Sequence, residues 1–282
     1  MNSIPTKHNY FLFSIDLEDV RENVVNGFSY KDRVLENTLL YLNWLKKKSA
    51  FCTFFTVGKI AERYPDLIKL ILDSGHEIAC HSYSHITLNK LTPRDFKNDL
   101  EKNLESLHQC GAKNIIGFRA PVFSITEETR WAHEVLQESG FKYSSSVLPA
   151  ANPLFGWENF GKTPKYINNA LWEIPITLGK LGPLNFPAAG GVYFRVLPWM
   201  ILKQNIKECF YSNSPLLSYF HPYDVDVYQE KFMHDGINNS KFYNYLMYYN
   251  RKNVFKRLDK LDEFDLKIVT YKQYIDILAN GI

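Results

Sequence analysis

Residues 10–19 read Tyr-Phe-Leu-Phe-Ser-Ile-Asp-Leu-Glu-Asp, a short, mostly apolar run that ends on carboxylates. Tyr10–Ile15 has the length and content of a buried strand. Asp16 at its exit is an expensive place for an idle charge, and alternation along an extended chain sets Asp16 and Glu18 on one side. The pattern of a buried strand followed by a polar residue returns along the chain. Glu77–Cys80 is followed by His81, Ile115–Phe118 by Arg119, and Leu216–Phe220 by His221. Further strands are expected at Ala50–Val57, near Lys142–Ser145 and Leu171–Ile174, and at Leu266–Thr270. Helical signals separate them. Residues 32–48 place Val34, Leu35, Thr38, Leu42 and Leu45 on one face. Pro65–Asp73 is stopped by Gly75, and Pro93–Gln109 starts with Thr92 as its cap. Thr126–Ser139, Pro198–Phe210, Asn250–Leu261 and a segment after Thr270 complete the set.

Strands spaced by helices argue for parallel pairing with right-handed crossovers, and closure into a barrel is the natural solution. A doubly wound open sheet is disfavoured because no glycine-rich phosphate loop follows the first strand. In a parallel barrel every strand exit lies on one face, so Asp16, His81, Arg119 and His221 are expected to meet there.

With 282 residues, 45% hydrophobic and 22% charged, the chain has ample core and is not a disordered tail. No linker or repeat divides it, so one domain over 1–282 is expected, with the part from about 185 completing the barrel. Lys plus Arg is 33 against 30 Asp plus Glu. This balance argues against nucleic acid or an anionic membrane as the main partner. Cys52, Cys80, Cys110 and Cys209 form no CxxC pair and read as reduced thiols. The N-terminal apolar run is too short for a secretory h-region and nothing is long enough to span a bilayer, so a cytoplasmic location is expected. Val147–Ala170 and His221 to about Asn244 lack clean periodicity and are candidate substrate loops.

His81-Ser-Tyr-Ser-His85 spaces two imidazoles so that one turn can bring both to one metal ion. Alone, the pair reads more readily as two surface or capping histidines than as metal ligands. A carboxylate from the first strand's exit, Glu18 or else Asp19, would complete a three-ligand site. Arg119 can orient a neighbouring carboxylate or form a structural salt bridge. His221, fixed by Pro222, is either a satisfied core histidine or a general acid.

Together, SIDLED, HSYSH, FRAP and FHP resemble the polysaccharide deacetylase family, also called the NodB-homology or carbohydrate esterase 4 group. GGVYFRVLP at 190–198 and FHPYDVD are similar to the subgroup associated with bacterial exopolysaccharide and surface-glycan biosynthesis. The resemblance implies an irregular (β/α)7-type barrel and a hydrolase that deacetylates an N-acetylated sugar in a surface polysaccharide or its precursor. It implies one divalent ion, zinc by default, with nickel, cobalt or iron as alternatives. Asp16 matches the general base, Arg119 its orienting partner, His81 and His85 the metal ligands, and His221 the general acid. An oxyanion donor is expected just after Pro121, at the Val122 N–H. Trp172, Tyr193 and Phe220 are sugar-stacking candidates whose other reading is core packing. Ser144 stands where relatives carry an aspartate, which leaves open what supports His221. The competing readings are a related amidohydrolase acting on a formamide or cyclic amide, and a non-catalytic glycan-binding protein.

Overall fold

The computed structural model describes residues 9–152, 155–182, 184–212, 214–234 and 236–280. The first eight residues, part of the export reading, lie outside them.

The opening run is two strands, β1 (Asn9–Leu12) and β2 (Ser14–Leu17). The chain changes partners at Phe13. β3 (Thr53–Thr56), β4 (Glu77–Cys80), β5 (Gly117–Phe118) and β6 (Tyr143–Ser144) follow, each shorter than or equal to its sequence-predicted run. An antiparallel edge strand, β7 (Lys165–Ile167), precedes β8 (Leu171–Glu173). A hairpin of β9 (Leu178–Leu181) and β10 (Leu184–Pro187) was not foreseen. β11 (Leu216–Leu217) and β12 (Leu266–Ile268) flank β1 in parallel.

The strands β2-β3-β4-β5-β6-β8 run parallel in that order. Beyond β11, Phe220 bridges Ile15 in parallel, and Asp16 N–H donates to Phe220 O at 2.8 Å. Among the described residues no ladder joins β8 to β11. Thr177 spans the gap instead, accepting from Leu217 N–H at 2.9 Å and donating to Pro215 O at 3.0 Å. This is an irregular α/β barrel, as expected, with its exits on one rim. The ladder between β6 and β8 runs parallel, pairing Ser144 with Glu173.

The helices are α1 (Val34–Lys47), α2 (Gly58–Arg63), α3 (Pro65–Asp73), α4 (Pro93–Gln109) and α5 (Ala132–Glu138), then α6 (Gly191–Val196), α7 (Trp199–Tyr211), α8 (Lys241–Tyr248), α9 (Val254–Asp259) and α10 (Tyr271–Asn280). Thr92 caps α4 through a capping box with Asp95. On α1 the buried face runs through Val34, Thr38, Tyr41, Leu42 and Leu45, while Leu35 is 46% exposed. One step of a 3.6-residue helix turns Leu35 about 100° away from Val34, out of that face. α5 starts at Ala132 rather than Thr126, because Thr129 Oγ1 accepts from Thr126 N–H at 2.8 Å and donates to Ser124 O at 2.8 Å. Those bonds make a turn where a helix was expected. The 250–261 helix is likewise broken, since Asn250 adopts φ +62° and Arg251–Asn253 form a 3₁₀ turn before α9. All four cysteines are buried and unbridged. No helix among the described residues is long and apolar enough to cross a membrane.

Candidate functional site

Asp16, the penultimate residue of β2, sets its carboxylate against Arg119, at 2.6 Å from Nη1 to Oδ1. Arg119 is completely buried, and every arm of its guanidinium is used. Nη1 also donates to Ser14 Oγ (2.8 Å), Nε to Ser145 O (3.2 Å), and Nη2 to Tyr271 OH (2.7 Å) and Ser145 Oγ (3.3 Å). Its plane lies over Phe55, 3.9 Å from the ring centroid. The guanidinium thus has one orientation, and it fixes that of Asp16. The corner carrying Ser145 is itself clamped. Glu173 Oε1 accepts from Ser146 N–H (2.7 Å) and Val147 N–H (3.1 Å), and its other oxygen lies 3.1 Å from His133 Nε2.

His81 leaves β4 with Nδ1 at 2.8 Å from the Arg119 carbonyl. That contact occupies one ring nitrogen and leaves Nε2 as the ligand atom. Burial holds the His81 imidazole down to about 4, in its neutral, ligating form. His85 packs edge-on to it, with ring centroids 4.9 Å apart. Its Nε2 lies 2.7 Å from Glu18 Oε2. Burial would raise the Glu18 carboxyl, but His85, His221 and His81 outweigh it and hold it at about 2. Ligand atoms of Glu18, His81 and His85 all lie within 4.8 Å of one another. Two imidazoles and a carboxylate, all partly or wholly buried, form a donor set suited to a divalent ion with one side left open.

The loop that makes this possible is held from α4. Asp99 accepts from Tyr83 N–H (2.7 Å) and Ser84 N–H (3.0 Å), and Asn103 Nδ2 donates to Thr56 O (3.0 Å) and Ser82 O (2.5 Å). These tethers stabilise a turn in which Ser82 and His85 both take positive φ, +60° and +53°. Asn103→Leu removes both side-chain tethers, while Thr56 O keeps the His81 N–H (3.0 Å) and Ser82 O the Gly58 N–H (3.0 Å). The loss of two buried hydrogen bonds is expected to cost roughly 1–3 kcal/mol, read as a lowered urea midpoint at unchanged m-value.

His221 follows Phe220 with its ring stacked on Tyr223 at 4.7 Å and 7°. Asp224 answers the question left open at Ser144. Its Oδ2 lies 2.9 Å from His221 Nδ1 and accepts from His221 N–H at 2.9 Å, while Oδ1 accepts from Arg195 Nε at 3.0 Å. Burial would lower the imidazole, but the Asp224 hydrogen bond and the charges of Glu18 and Asp224 lift it to about 9. Burial opposes the charge on Asp224 as well, yet Arg195 and His221 keep its carboxyl far below the usual range. Gly190 and Gly191 let the start of α6, the helix that carries Arg195, pack closely against Tyr219. A Cβ on Gly190 would sit 2.6 Å from Tyr219 O, and Gly191 has φ +55°.

Asp16, Glu18, His81, His85 and His221 face one cavity of about 770 Å³, with Val122 and Tyr193 on its walls. Val122 takes φ +55°, a strained state for a β-branched residue, and is 45% exposed. Tyr193 stacks on Phe186 at 5.8 Å and is 41% exposed. Other expectations fail. Pro121 is buried behind Val122 and does not line the cavity. Trp172 packs against Tyr166 at 4.9 Å, beside the interior cluster of Tyr143 and Ile174. Strand alternation sends Leu171 and Glu173 to full burial and Trp172 to that cluster. Phe220 is wholly buried among Phe13, Tyr41 and Phe194. Asp19, the alternative ligand, is bound by Arg21 (2.7 Å) and Arg63 (2.8 Å) and lies outside the cluster. His234, within the 221–244 stretch read as a substrate loop but not singled out there, lines the cavity, boxed by Phe232 and Tyr248.

A barrel with a His-His-carboxylate cluster at its rim is the setting in which the chain's similarity to known families falls. Residues 27–143, about two fifths of the chain, match the model described as polysaccharide deacetylase, and residues 145–275 match a domain of unknown function, DUF3473. The chain is 35% identical over 101 residues to a peptidoglycan-N-acetylglucosamine deacetylase of Bacillus cereus, covering 36% of this chain and 37% of that one. It is 31% identical over 107 residues to a peptidoglycan deacetylase of Helicobacter pylori, covering 38% and 36%. The matches therefore span about a third of these curated relatives. Among solved structures, a Mycobacterium smegmatis protein whose name places it with the polysaccharide deacetylases superposes with a TM-score of 0.65 at 15% identity, covering 99% and 93% of the two chains. Puue allantoinase superposes with a TM-score of 0.61 at 13% identity, covering 96% and 90%. These likenesses are of fold.

Proposed function

We propose that this protein is a metal-dependent N-deacetylase that hydrolyses the acetamido group of an N-acetylated sugar in a bacterial surface polysaccharide or its precursor. One observation carries the reading. The Glu18–His81–His85 cluster opens into the same cavity as the Asp16–Arg119 pair and the His221–Asp224 pair. Glu18, His81 and His85 would hold a divalent ion, zinc by default, which supplies Lewis-acid activation of water and of the acetyl carbonyl.

The chain's own residues do the rest. Asp16, held by Arg119, takes the proton of the attacking water. The Val122 N–H, held out by its left-handed backbone, is placed to donate to the developing oxyanion. His221 carries a proton on Nε2 because the Asp224 carboxylate, accepting from Nδ1–H, holds the ring as an imidazolium, and it delivers that proton to the sugar nitrogen as the C–N bond breaks. The products are acetate and a free amine. Tyr193 at the rim stacks on a sugar ring.

The test is metal content of the purified protein together with acetate release from N-acetylhexosamine oligomers. A stoichiometric divalent ion is expected. Chelation should remove at least ~99% of turnover, and added zinc should restore it. A substrate panel containing allantoin and N-formyl compounds separates the competing amide chemistries. Turnover of those without acetate release from any N-acetylhexosamine glycan overturns the reading.

A further inference from the structure

α8 separates two depressions. Met247 faces the catalytic cavity, whereas Tyr245, Tyr248 and Tyr249 line a separate cleft of about 590 Å³. Lys231, Lys241 and Lys252 line that cleft too, and none of the three has an ion-pair partner among the described residues. Behind them Arg251 is buried over the Tyr248 ring at 4.6 Å. Its Nε and Nη1 are spent on Met247 O (2.9 Å), Asp226 O (3.2 Å) and Gln229 Oε1 (2.9 Å), while Nη2 has no partner. The one carboxylate in the lining, Asp226, is already flanked by Arg33 at 3.7 Å. Positive charge is therefore in excess and uncompensated.

The tyrosines give that charge a second meaning. Tyr245 is 60% exposed, and its ring centroid lies 5.8 Å from that of Tyr249. Open phenol rings in a concave, amide-lined cleft suit a polar ligand with an apolar face, as a sugar has. A bilayer would instead require a protruding apolar face. Point charges spread along such a cleft suit carboxylates distributed on a chain better than a single phosphate, which recruits arginine forks or backbone N–H nests. The cleft is also mechanically continuous with the active site. Arg195, on the helix that carries Tyr193 at the cavity rim, donates to Leu246 O (3.3 Å) and Tyr249 O (2.6 Å) at the end of α8.

We propose that the cleft lined by Tyr245, Tyr249 and the three lysines is a second carbohydrate subsite, binding a carboxylate-bearing sugar of the same glycan whose acetamido group enters the catalytic cavity. This rests on the deacetylase reading and narrows its substrate to an acidic heteropolymer. The test is calorimetric titration of the full-length Asp16→Asn protein with two probes. One is a hexasaccharide of alternating glucuronate and N-acetylglucosamine, and the other is neutral hexa-N-acetylchitohexaose. In about 20 mM salt the acidic probe is expected to bind about tenfold tighter, and the preference should shrink steeply by about 0.5 M. Combining Lys231→Ala, Lys241→Ala and Lys252→Ala should erase the preference, and Tyr245→Ala should weaken binding of the acidic probe by about tenfold. Each variant's melting curve reports that it is folded. Equal affinity for the two probes in the starting protein overturns the proposal. So does lysine-dependent binding to phosphatidylglycerol vesicles without the oligosaccharide preference, which makes the surface a membrane contact. Acetate release from the neutral probe by the unmodified protein tests the deacetylase reading separately, so the two can fail independently.

Discussion

Asp16→Asn is expected to reduce acetate release by about 10²–10⁴-fold while the protein still folds and still retains a divalent ion. The direction follows from what the substitution keeps and what it removes. An asparagine carbonyl can still accept from Arg119 Nη1, which Asp16 Oδ1 now does at 2.6 Å. Arg119 also keeps Ser14, Ser145 and Tyr271 as acceptors, so no buried guanidinium is stranded. Glu18, His81 and His85 are untouched. The change removes the capacity to take a proton and little else. The measurement is kcat on an N-acetylhexosamine oligomer beside metal content from the same preparation. Turnover within about tenfold of the starting protein would take Asp16 out of the base role. Loss of the ion along with activity would instead make Asp16 part of the ligand set.

The parts of this site legible in the sequence are those that local pattern dictates. Asp16, His81, Arg119 and His221 each follow a short apolar run, and a parallel barrel sends such exits to one rim. Thr92, Pro93 and the amphipathic spacing gave the bounds of α4 directly, because caps and periodicity are local. The supports were not legible for the opposite reason. Asp99 and Asn103 lie on the solvent-poor face of α4, and nothing local distinguishes them from ordinary helix polar residues. Tyr271 reaches Arg119 across 152 positions. Trp172 was misassigned because a three-residue strand does not say which of its faces is the cavity's. The partner change at Phe13 is a tertiary event, since one apolar run serves two ladders. Asp224 is the exception. It stands three residues after His221 in FHPYDVD, at the spacing that lets a carboxylate cap the turn it follows. The serine at position 144 drew attention to a missing acid, while the replacement lay within the histidine's own motif.

Asp224→Asn is accordingly expected to lower kcat by about 10²–10⁴-fold, because an imidazole no longer held as a cation is a poor proton donor and general acid catalysis contributes about that much. In the present arrangement Asp224 can only accept from His221 Nδ1–H, and its charge favours the imidazolium, whose second proton, on Nε2, faces the cavity. An asparagine can offer its amide N–H to Nδ1 instead, and it removes the nearest negative charge. His221 is held at about 9 largely by that hydrogen bond and charge, so it is a cation at neutral pH and loses its proton as pH rises through 9. The alkaline limb of kcat in the unmodified, metal-loaded protein should lie at or below that value. Without the carboxylate the imidazole moves down toward its ordinary value of about 6.5, and the limb should shift to lower pH by one unit or more. A cation beside Glu18 moves both limbs in the same downward direction, which leaves their order unchanged. The fold also weakens. Arg195 loses the one carboxylate that pairs with it among the described residues while remaining wholly buried, a change of roughly 3–5 kcal/mol that Leu246 O and Tyr249 O partly offset. The pH profile separates these effects, because destabilisation lowers the amount of folded enzyme without moving the limb. A reduced kcat with the alkaline limb where the unmodified protein has it would assign Asp224 to architecture alone, and a limb displaced from that position in a protein that melts cooperatively assigns it to tuning the proton donor.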